Sequence, residues 1–382
     1  MKKITVLAVA LMMSVAAMAQ QALWGGAMTV SPEINPDNTV TFRLNAPKAR
    51  AVQVSGDFAN GVANMVQNER GVWEYTTEPL APELYSYTFT MDGVKIADPS
   101  NVYQIRDVAS VTNYFIIGGG QADLYLTKNV PHGSIHKDWY YSASEDFTRR
   151  LTVYTPAAYD GKKRFPVLYL LHGIGGDEEA WMDLGRASQI LDNLIASGEA
   201  EPMIVVMTNG NISQQAAPGY GPEGYPVPSM GLPKTMEGSF EAAFPEVVEF
   251  IDSNYRTIAK KSGRAIAGLS MGGFHSMHIS KEYPDMFNYV GLFSAALNVN
   301  GQQEGSPIYQ NVDQKVDTQF AKGVKLYWIA CGNTDFLIQN NRDFMKGLDA
   351  RGHDYIYYET EGGHIWRNWR DYLSKFVPQI FK

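Results

Sequence analysis

Ser270 stands in the segment Gly268-Leu269-Ser270-Met271-Gly272-Gly273, a G-x-S-x-G pattern entered from the apolar run Ala265-Ile266-Ala267. A serine hydroxyl is a poor nucleophile unless it is exposed, lies next to a base and faces donors that hold an oxyanion. Glycines two before and two after the serine permit a strand-to-helix bend tight enough to push the hydroxyl out of the backbone. The chemistry implied is acyl transfer through a serine. Five residues of pattern also arise by chance, so the remaining parts must be present in the right order.

The base should be a histidine, because its reference pKa lies near neutrality. Of seven candidates, His132 and His136 precede the first core strand of their domain, and His172 follows a strand in Leu171-His172-Gly173-Ile174-Gly175-Gly176. His275 and His278 fall on the helix after Ser270, where they would point away from its hydroxyl, and His353 lies in a turn. His364 lies in Glu361-Gly362-Gly363-His364, a loop between the last strand and the last helix. It is last in the chain order Ser…Asp/Glu…His and sits at a strand's carboxyl end, where open α/β sheets carry their chemistry.

The orienting acid is expected between Ser270 and His364. Asp335 follows the 324–330 strand through Cys331-Gly332-Asn333-Thr334, although such a position also suits a turn or helix-capping aspartate. Asp354 opens a strand, the wrong end, and Glu359 and Glu361 are expected at the surface. Oxyanion donors are expected from the N–H of Met271 and from the Gly-rich loop at Ile174, at roughly 3 kcal/mol each. No H-E-x-x-H motif, Cys/His cluster of ligand spacing or G-x-x-x-x-G-K loop is present in the sequence, and the mechanism calls for neither metal nor cofactor.

These residues need a scaffold. From about residue 125 to 382, apolar strand-like runs (165–171, 203–207, 324–330, 355–358) alternate with helix-like ones, 244–251 and 369–376 among them. Continuous apolar runs suit strands buried on both faces, so this part is read as a mostly parallel sheet covered by helices. Residues 24–118 alternate differently. Val40-Thr41-Phe42-Arg43-Leu44 and Tyr85-Ser86-Tyr87-Thr88-Phe89-Thr90 are period-2 strands separated by turns such as Pro36-Asp37-Asn38 and Asp92-Gly93. They suggest an all-β immunoglobulin-like sandwich, ended by Gly118-Gly119-Gly120. The insert 216–234, rich in Gly, Pro and Tyr, is expected to overhang the site with Tyr220 and Tyr225. Phe336 and Trp366 would suit an aromatic acyl group, as would Trp369, though the tryptophans also suit a core.

Residues 1–19 read as a cleavable signal peptide: Lys2 and Lys3, a short apolar stretch, then Ala17-Met18-Ala19. Cleavage after Ala19, with no cysteine following it and no later apolar span, predicts a periplasmic or secreted protein without a membrane anchor. The single cysteine, Cys331, excludes an internal disulfide and reads as a small apolar residue at a strand end. The formal charge of −8 becomes about −10 once the two signal lysines are gone, which disfavours nucleic acid and anionic membranes.

Six segments in order complete the picture: Val130-Pro131-His132-Gly133, Val153-Tyr154-Thr155-Pro156, Leu170-Leu171-His172-Gly173-Ile174-Gly175-Gly176, the Ser270 segment, Cys331-Gly332-Asn333-Thr334-Asp335 and Gly363-His364-Ile365-Trp366. Through them residues 125–382 resemble the esterase D-like α/β-hydrolases, and among these the feruloyl and acetyl-xylan esterases of carbohydrate esterase family one. The resemblance implies nucleophile, acid and base at Ser270, Asp335 and His364, and oxyanion donors at Ile174 and Met271. Through Val40-Thr41-Phe42-Arg43-Leu44-Asn45-Ala46-Pro47 and Gly71-Val72-Trp73-Glu74-Tyr75, the amino-terminal part resembles family-48 carbohydrate-binding modules. Trp73, Tyr75, Tyr85 and Tyr87 would then be its sugar-stacking candidates, although the alternation of Tyr85, Tyr87 and Phe89 favours a sandwich core.

The expectation is a secreted esterase acting on feruloyl or acetyl groups of plant cell-wall polysaccharide, arabinoxylan or its oligosaccharide esters. A siderophore or small acyl (thio)ester hydrolase is the alternative within the class. A non-catalytic glycan-binding protein on a hydrolase scaffold is the alternative outside it.

Overall fold

A computed structural model describes residues 29–58, 61–297 and 306–382, so the signal segment expected over 1–19 lies outside the described residues. The described residues divide into two compact units, one formed by those up to 81 with 86–103, the other by 82–85 with those from 104 onward. The strand pair at 104–117, ahead of the Gly118-Gly119-Gly120 stretch, thus clusters with the second unit.

The first unit is a sandwich of short antiparallel strands. One sheet has the order β1 (Glu33–Ile34), β2 (Val40–Asn45), β6 (Val72–Thr76), β5 (Val66–Gln67). The other pairs β4 (Val62–Asn64) with β3 (Val52–Gly56), β3 with β7 (Glu83–Met91), and β7 with β8 (Val94–Ile96). Alternation sends Val40, Phe42, Val52, Val54, Tyr87 and Phe89 inward, each at most 1% exposed. The rings of Phe42 and Tyr87 meet at 4.7 Å. Tyr87 is therefore buried, and so is Trp73, whose indole N–H donates to the Ala46 carbonyl at 3.0 Å; Tyr85, which falls in the second unit, is buried as well.

The second unit opens with the hairpin β9 (Gln104–Asp107) and β10 (Ser110–Ile117), and β11 (Ser134–Ser142) and β12 (Phe147–Thr155) follow. Then strands and helices alternate: β13 (Val167–Leu171), α1 (Ala180–Asp183), α2 (Ala187–Ala196), β14 (Ile204–Thr208), α3 (Ser239–Asn254), β15 (Arg264–Leu269), α4 (Met271–Glu282), β16 (Tyr289–Phe293), α5 (Val312–Ala321), β17 (Leu326–Gly332), α6 (Ile338–Ala350), β18 (Ile356–Thr360) and α7 (Trp366–Phe376).

The eight-stranded sheet runs β11-β12-β14-β13-β15-β16-β17-β18. Its first two pairings are antiparallel and the rest parallel. Every residue of β13, β14 and β16 is buried, as two covered faces demand. Tyr169, Ile266 and Val290 point into one apolar layer, Leu168, Ala267 and Trp328 into the other. The parallel strands all open at one end of the sheet, and that end carries the site.

Candidate active site

β15 ends on Leu269 and α4 starts on Met271, so Ser270 alone makes the bend. Its φ of 53° and ψ of −115° are costly for a residue with a side chain. Backbone bonds on both sides hold it there. Its N–H donates to the Phe293 carbonyl at 2.8 Å, and its own carbonyl accepts from Phe274 and Ala296, each at 3.0 Å. A Cβ on Gly268 would lie 2.5 Å from the backbone of Gly272, and one on Gly272 would lie 2.4 Å from the Leu171 carbonyl oxygen. Both glycines are required by close approach, which is the physical content of the motif.

Asp335 and His364 come from the loops after β17 and β18, parallel neighbours. The Asn333 N–H donates to the Thr360 carbonyl at 2.8 Å, and that of Thr334 to Gly362 at 3.1 Å, so the two loops leave the sheet joined. Nδ1 of His364 lies 3.1 and 2.9 Å from the two Asp335 carboxylate oxygens. Asp335 is 2% exposed. Burial by itself would raise its carboxyl. The His364 hydrogen bond and the Leu337 N–H, 2.9 Å from Oδ1, outweigh that and hold it below the usual carboxylate range. A carboxylate on Nδ1 assigns the proton there and leaves Nε2 with a free lone pair. The Phe336 ring lies 4.5 Å from the imidazole on one side and Trp369 at 4.8 Å on another. Among the described residues the Ser270 hydroxyl makes no hydrogen bond. In serine enzymes the bond to the base often tightens only once substrate is bound.

The loop after β13 runs beside Ser270. A Cβ on Gly173 would meet the Ser270 Cβ at 3.3 Å and the Leu269 side chain at 2.5 Å. Met271 is buried, and Ile174 is 43% exposed. His172, 2% exposed, staples this loop. Its Nδ1–H donates to the Gly173 carbonyl at 2.7 Å, and its Nε2 accepts the Gly210 N–H at 2.8 Å. That pairing requires the neutral ring, and burial pushes its pKa down to about 4.

Three acids then pin the loop to its surroundings, and the sequence reading passed over all of them. Asp177 pairs with Arg106 at 2.6 Å. Glu178 accepts from Arg150 (3.2 Å), Asn209 (3.1 Å) and the Ala217 N–H (2.8 Å). Glu179 meets Arg150 at 3.0 Å and also Lys137. Three consecutive acids after a Gly-rich loop were the available signal; their partners, far away in sequence, were not visible.

The other named residues spread more widely. Tyr220, 60% exposed, has its ring 4.2 Å from the Arg150 guanidinium, while Tyr225 is 92% exposed. Phe336 is 73% exposed beside His364. Trp366 packs edge-on against Trp181 (5.3 Å) and Trp369 (5.2 Å), and Trp369 is buried. His275 and His278 are buried on α4, His275 against Glu241 at 2.9 Å. His132, His136 and His353 pair with Asp192, Thr155 and Asp317. Cys331 is buried and its thiol is pushed up to about 12, mainly by that burial, which makes it inert. Among the described residues no group of three or more His, Cys, Asp or Glu could hold a metal ion, and no helix is long and apolar enough to cross a membrane.

The sheet, the serine bend and the acid–base pair at its open end define an α/β-hydrolase. Residues 142–380, more than half of the chain, match the model of the Esterase family, and residues 28–103 match carbohydrate-binding module 48, the isoamylase N-terminal domain. The chain belongs to the Esterase family, carboxylic ester hydrolases. An endo-1,4-β-xylanase/feruloyl esterase of Xylanibacter ruminicola is 32% identical over 359 residues, 92% of this chain and 46% of that relative. The chain thus spans about half of that relative's length. A solved ferulic acid esterase, 26% identical, superposes with a TM-score of 0.54 over 65% of this chain and 97% of its own. The enterobactin esterase of Shigella flexneri shares the fold, with a TM-score of 0.61 over 89% of this chain and 92% of its own at 18% identity.

Proposed function

We propose that this protein is a serine esterase that removes feruloyl or acetyl groups from plant cell-wall xylan. The observation that carries the reading is the Asp335–His364 pair, 2.9 Å apart on a buried carboxylate, standing at the same carboxyl-end edge of the sheet as the strained, glycine-framed Ser270. Nε2 of His364 takes the hydroxyl proton as Ser270 Oγ attacks the ester carbonyl carbon. The N–H groups of Ile174 and Met271 hold the oxyanion, worth roughly 3 kcal/mol each. The proton passes to the departing sugar oxygen, the C–O bond breaks, and the acyl group stays on Ser270. Water, deprotonated by the same His364, then cleaves the acyl-serine and restores the hydroxyl. Asp335 holds the tautomer and stabilises the imidazolium.

The substrate class is supported by the feruloyl esterase named among the relatives and by Phe336, an exposed ring against His364 where a phenolic acyl group can stack. Export is part of the proposal, and amino-terminal sequencing of the mature protein should begin at Gln20.

The test is product release from feruloylated, acetylated arabinoxylan, with ferulate and acetate followed in one chromatogram for wild type and Ser270→Ala. Ferulate from wild type alone fits the reading, and acetate alone narrows it to a deacetylase. Neither acid, with an aryl acetate still cleaved, moves the substrate away from xylan towards siderophore or thioester hydrolysis. Equal hydrolysis by both proteins would sink the serine mechanism and leave a glycan-binding role.

A further inference from the structure

The hairpin β9–β10 lies between the two segments that match family models, 28–103 and 142–380, and neither model accounts for it. Its tip is strained. Val108 has a φ of +51°, a conformation that a β-branched side chain strongly resists. Such residues persist where their surroundings over-determine them, and they cluster at working sites.

The surroundings here belong to the Ile174 loop. Arg106 donates through one guanidinium nitrogen to the Val108 carbonyl at 3.0 Å and through the other to Asp177 at 2.6 Å. Asp177, 2% exposed, also accepts the Glu179 N–H at 3.0 Å, so the charge that Arg106 meets is fixed in place directly after the Gly-rich loop. Over the loop itself, Val108 and Met230 close on one point. A Cβ on Gly175 would lie 2.8 Å from a Val108 methyl and 2.7 Å from the Met230 sulfur. Gly175, with φ +77°, follows Ile174 directly. The base of the hairpin is anchored too: Ile105 is buried with Ala180 and Leu184, and Tyr114 and Trp366 pack around them.

We propose that the hairpin tip, Arg106 to Val108, is a working part of the active site. Arg106 is a positioning residue that holds the Ile174 N–H at the oxyanion through Asp177. Val108 faces Met230 across Gly175 as one lip of the substrate cleft and sets which acyl groups enter. The inference rests on the reading of Ile174 as an oxyanion donor. Its chemistry is simple: a guanidinium fork fixes two acceptors at once, the strained carbonyl and the buried carboxylate, so hairpin and loop move as one piece.

The experiment compares wild type, Arg106→Ala, Arg106→Lys and Val108→Ala in the full chain. A simple aryl acetate and an aryl ferulate are the substrates, and backbone amide exchange is measured over 171–176. With Arg106→Ala, exchange at Gly176, whose N–H donates to the Gly173 carbonyl at 3.1 Å, should speed at least tenfold. Its kcat should fall about tenfold on both esters with KM little changed, because a displaced oxyanion donor is felt in the transition state. Arg106→Lys keeps a charge without the fork and should recover only part. Val108→Ala should shift the ferulate-to-acetate ratio of kcat/KM at least threefold without changing the exchange. Unchanged exchange in Arg106→Ala overturns the clamp, whether or not any ester is cleaved. Faster exchange in Arg106→Ala, with a wild type that cleaves neither ester, keeps the clamp and sinks the esterase reading instead. An unchanged ratio in Val108→Ala removes it from the cleft.

Discussion

Protonation of His172 should be a main route by which acid destabilises this protein. Its ring is neutral in the fold because Nε2 accepts the Gly210 N–H, and burial pushes its pKa from 6.5 down to about 4. In the unfolded chain the ring titrates near its reference value. Above pH 6.5 both states are neutral and the full contribution is present. As pH falls from there towards 4, the unfolded chain gains a proton that the folded chain refuses, so stability is lost across that window. A difference of about 2.5 pKa units corresponds to about 3 kcal/mol. For a unit of this size that is a drop of roughly 6–12 °C in the unfolding temperature. The assay is calorimetric unfolding from pH 7.5 to 4.5 of wild type and His172→Gln. The glutamine does not titrate and can still accept from Gly210. The variant starts lower at neutral pH, because a staple of the Ile174 loop is weakened, but its curve should be flatter by that amount. Parallel curves would refute the reasoning: His172 would then titrate alike in both states, and the neutral staple would be wrong.

Asp335→Asn should leave the loops joined but lose the charge and the fixed tautomer, lowering kcat about 10³- to 10⁴-fold with KM within about threefold. A fall of less than tenfold on an aryl acetate would remove Asp335 from the mechanism. Cys331, its thiol pushed up to about 12 by burial, should resist iodoacetamide at pH 8 in the folded protein and react once urea unfolds it. Labelling of the native protein without loss of structure would contradict the buried placement.

Much of the architecture could be read from sequence because its signals are local. The apolar runs 165–171 and 203–207 became the two-sided strands β13 and β14, and alternating runs became the sandwich. The expected helix at 244–251 is the middle of α3, which runs from Ser239 to Asn254, and the expected strand at 324–330 is β17, displaced by two residues. The bend at Ser270 was legible because close approach at Gly268 and Gly272 excludes every larger residue. The pairing of Asp335 with His364 was legible because consecutive parallel strands deliver consecutive loops to one end of the sheet. The aromatic residues were harder. Trp366 and Phe336 are both aromatic residues next to the Asp335–His364 pair in sequence, yet one opens α7 and packs against Trp181 and Trp369, and the other, in the turn after Asp335, stays 73% exposed beside His364. Residue type does not carry that distinction, because it depends on where other elements leave space.

The same reasoning explains why the hairpin was invisible from the sequence. Ser270 and Val108 are both non-glycine residues at positive φ, and both border the loop after β13. The strain at Ser270 is announced by its neighbours, since the glycines that permit the bend lie two positions away in the chain. The strain at Val108 is supported by Arg106 holding its carbonyl and by Asp177 holding Arg106, a partner 71 residues further on. Nothing in the run from Gln104 to Ser110 reveals that a buried carboxylate will be waiting there. A motif records only the part of a site whose constraints are short-range. The parts that fix the Ile174 loop in space are constrained by charge pairs across the fold, so they must be sought wherever a costly backbone conformation and a buried ion pair meet on the same loop.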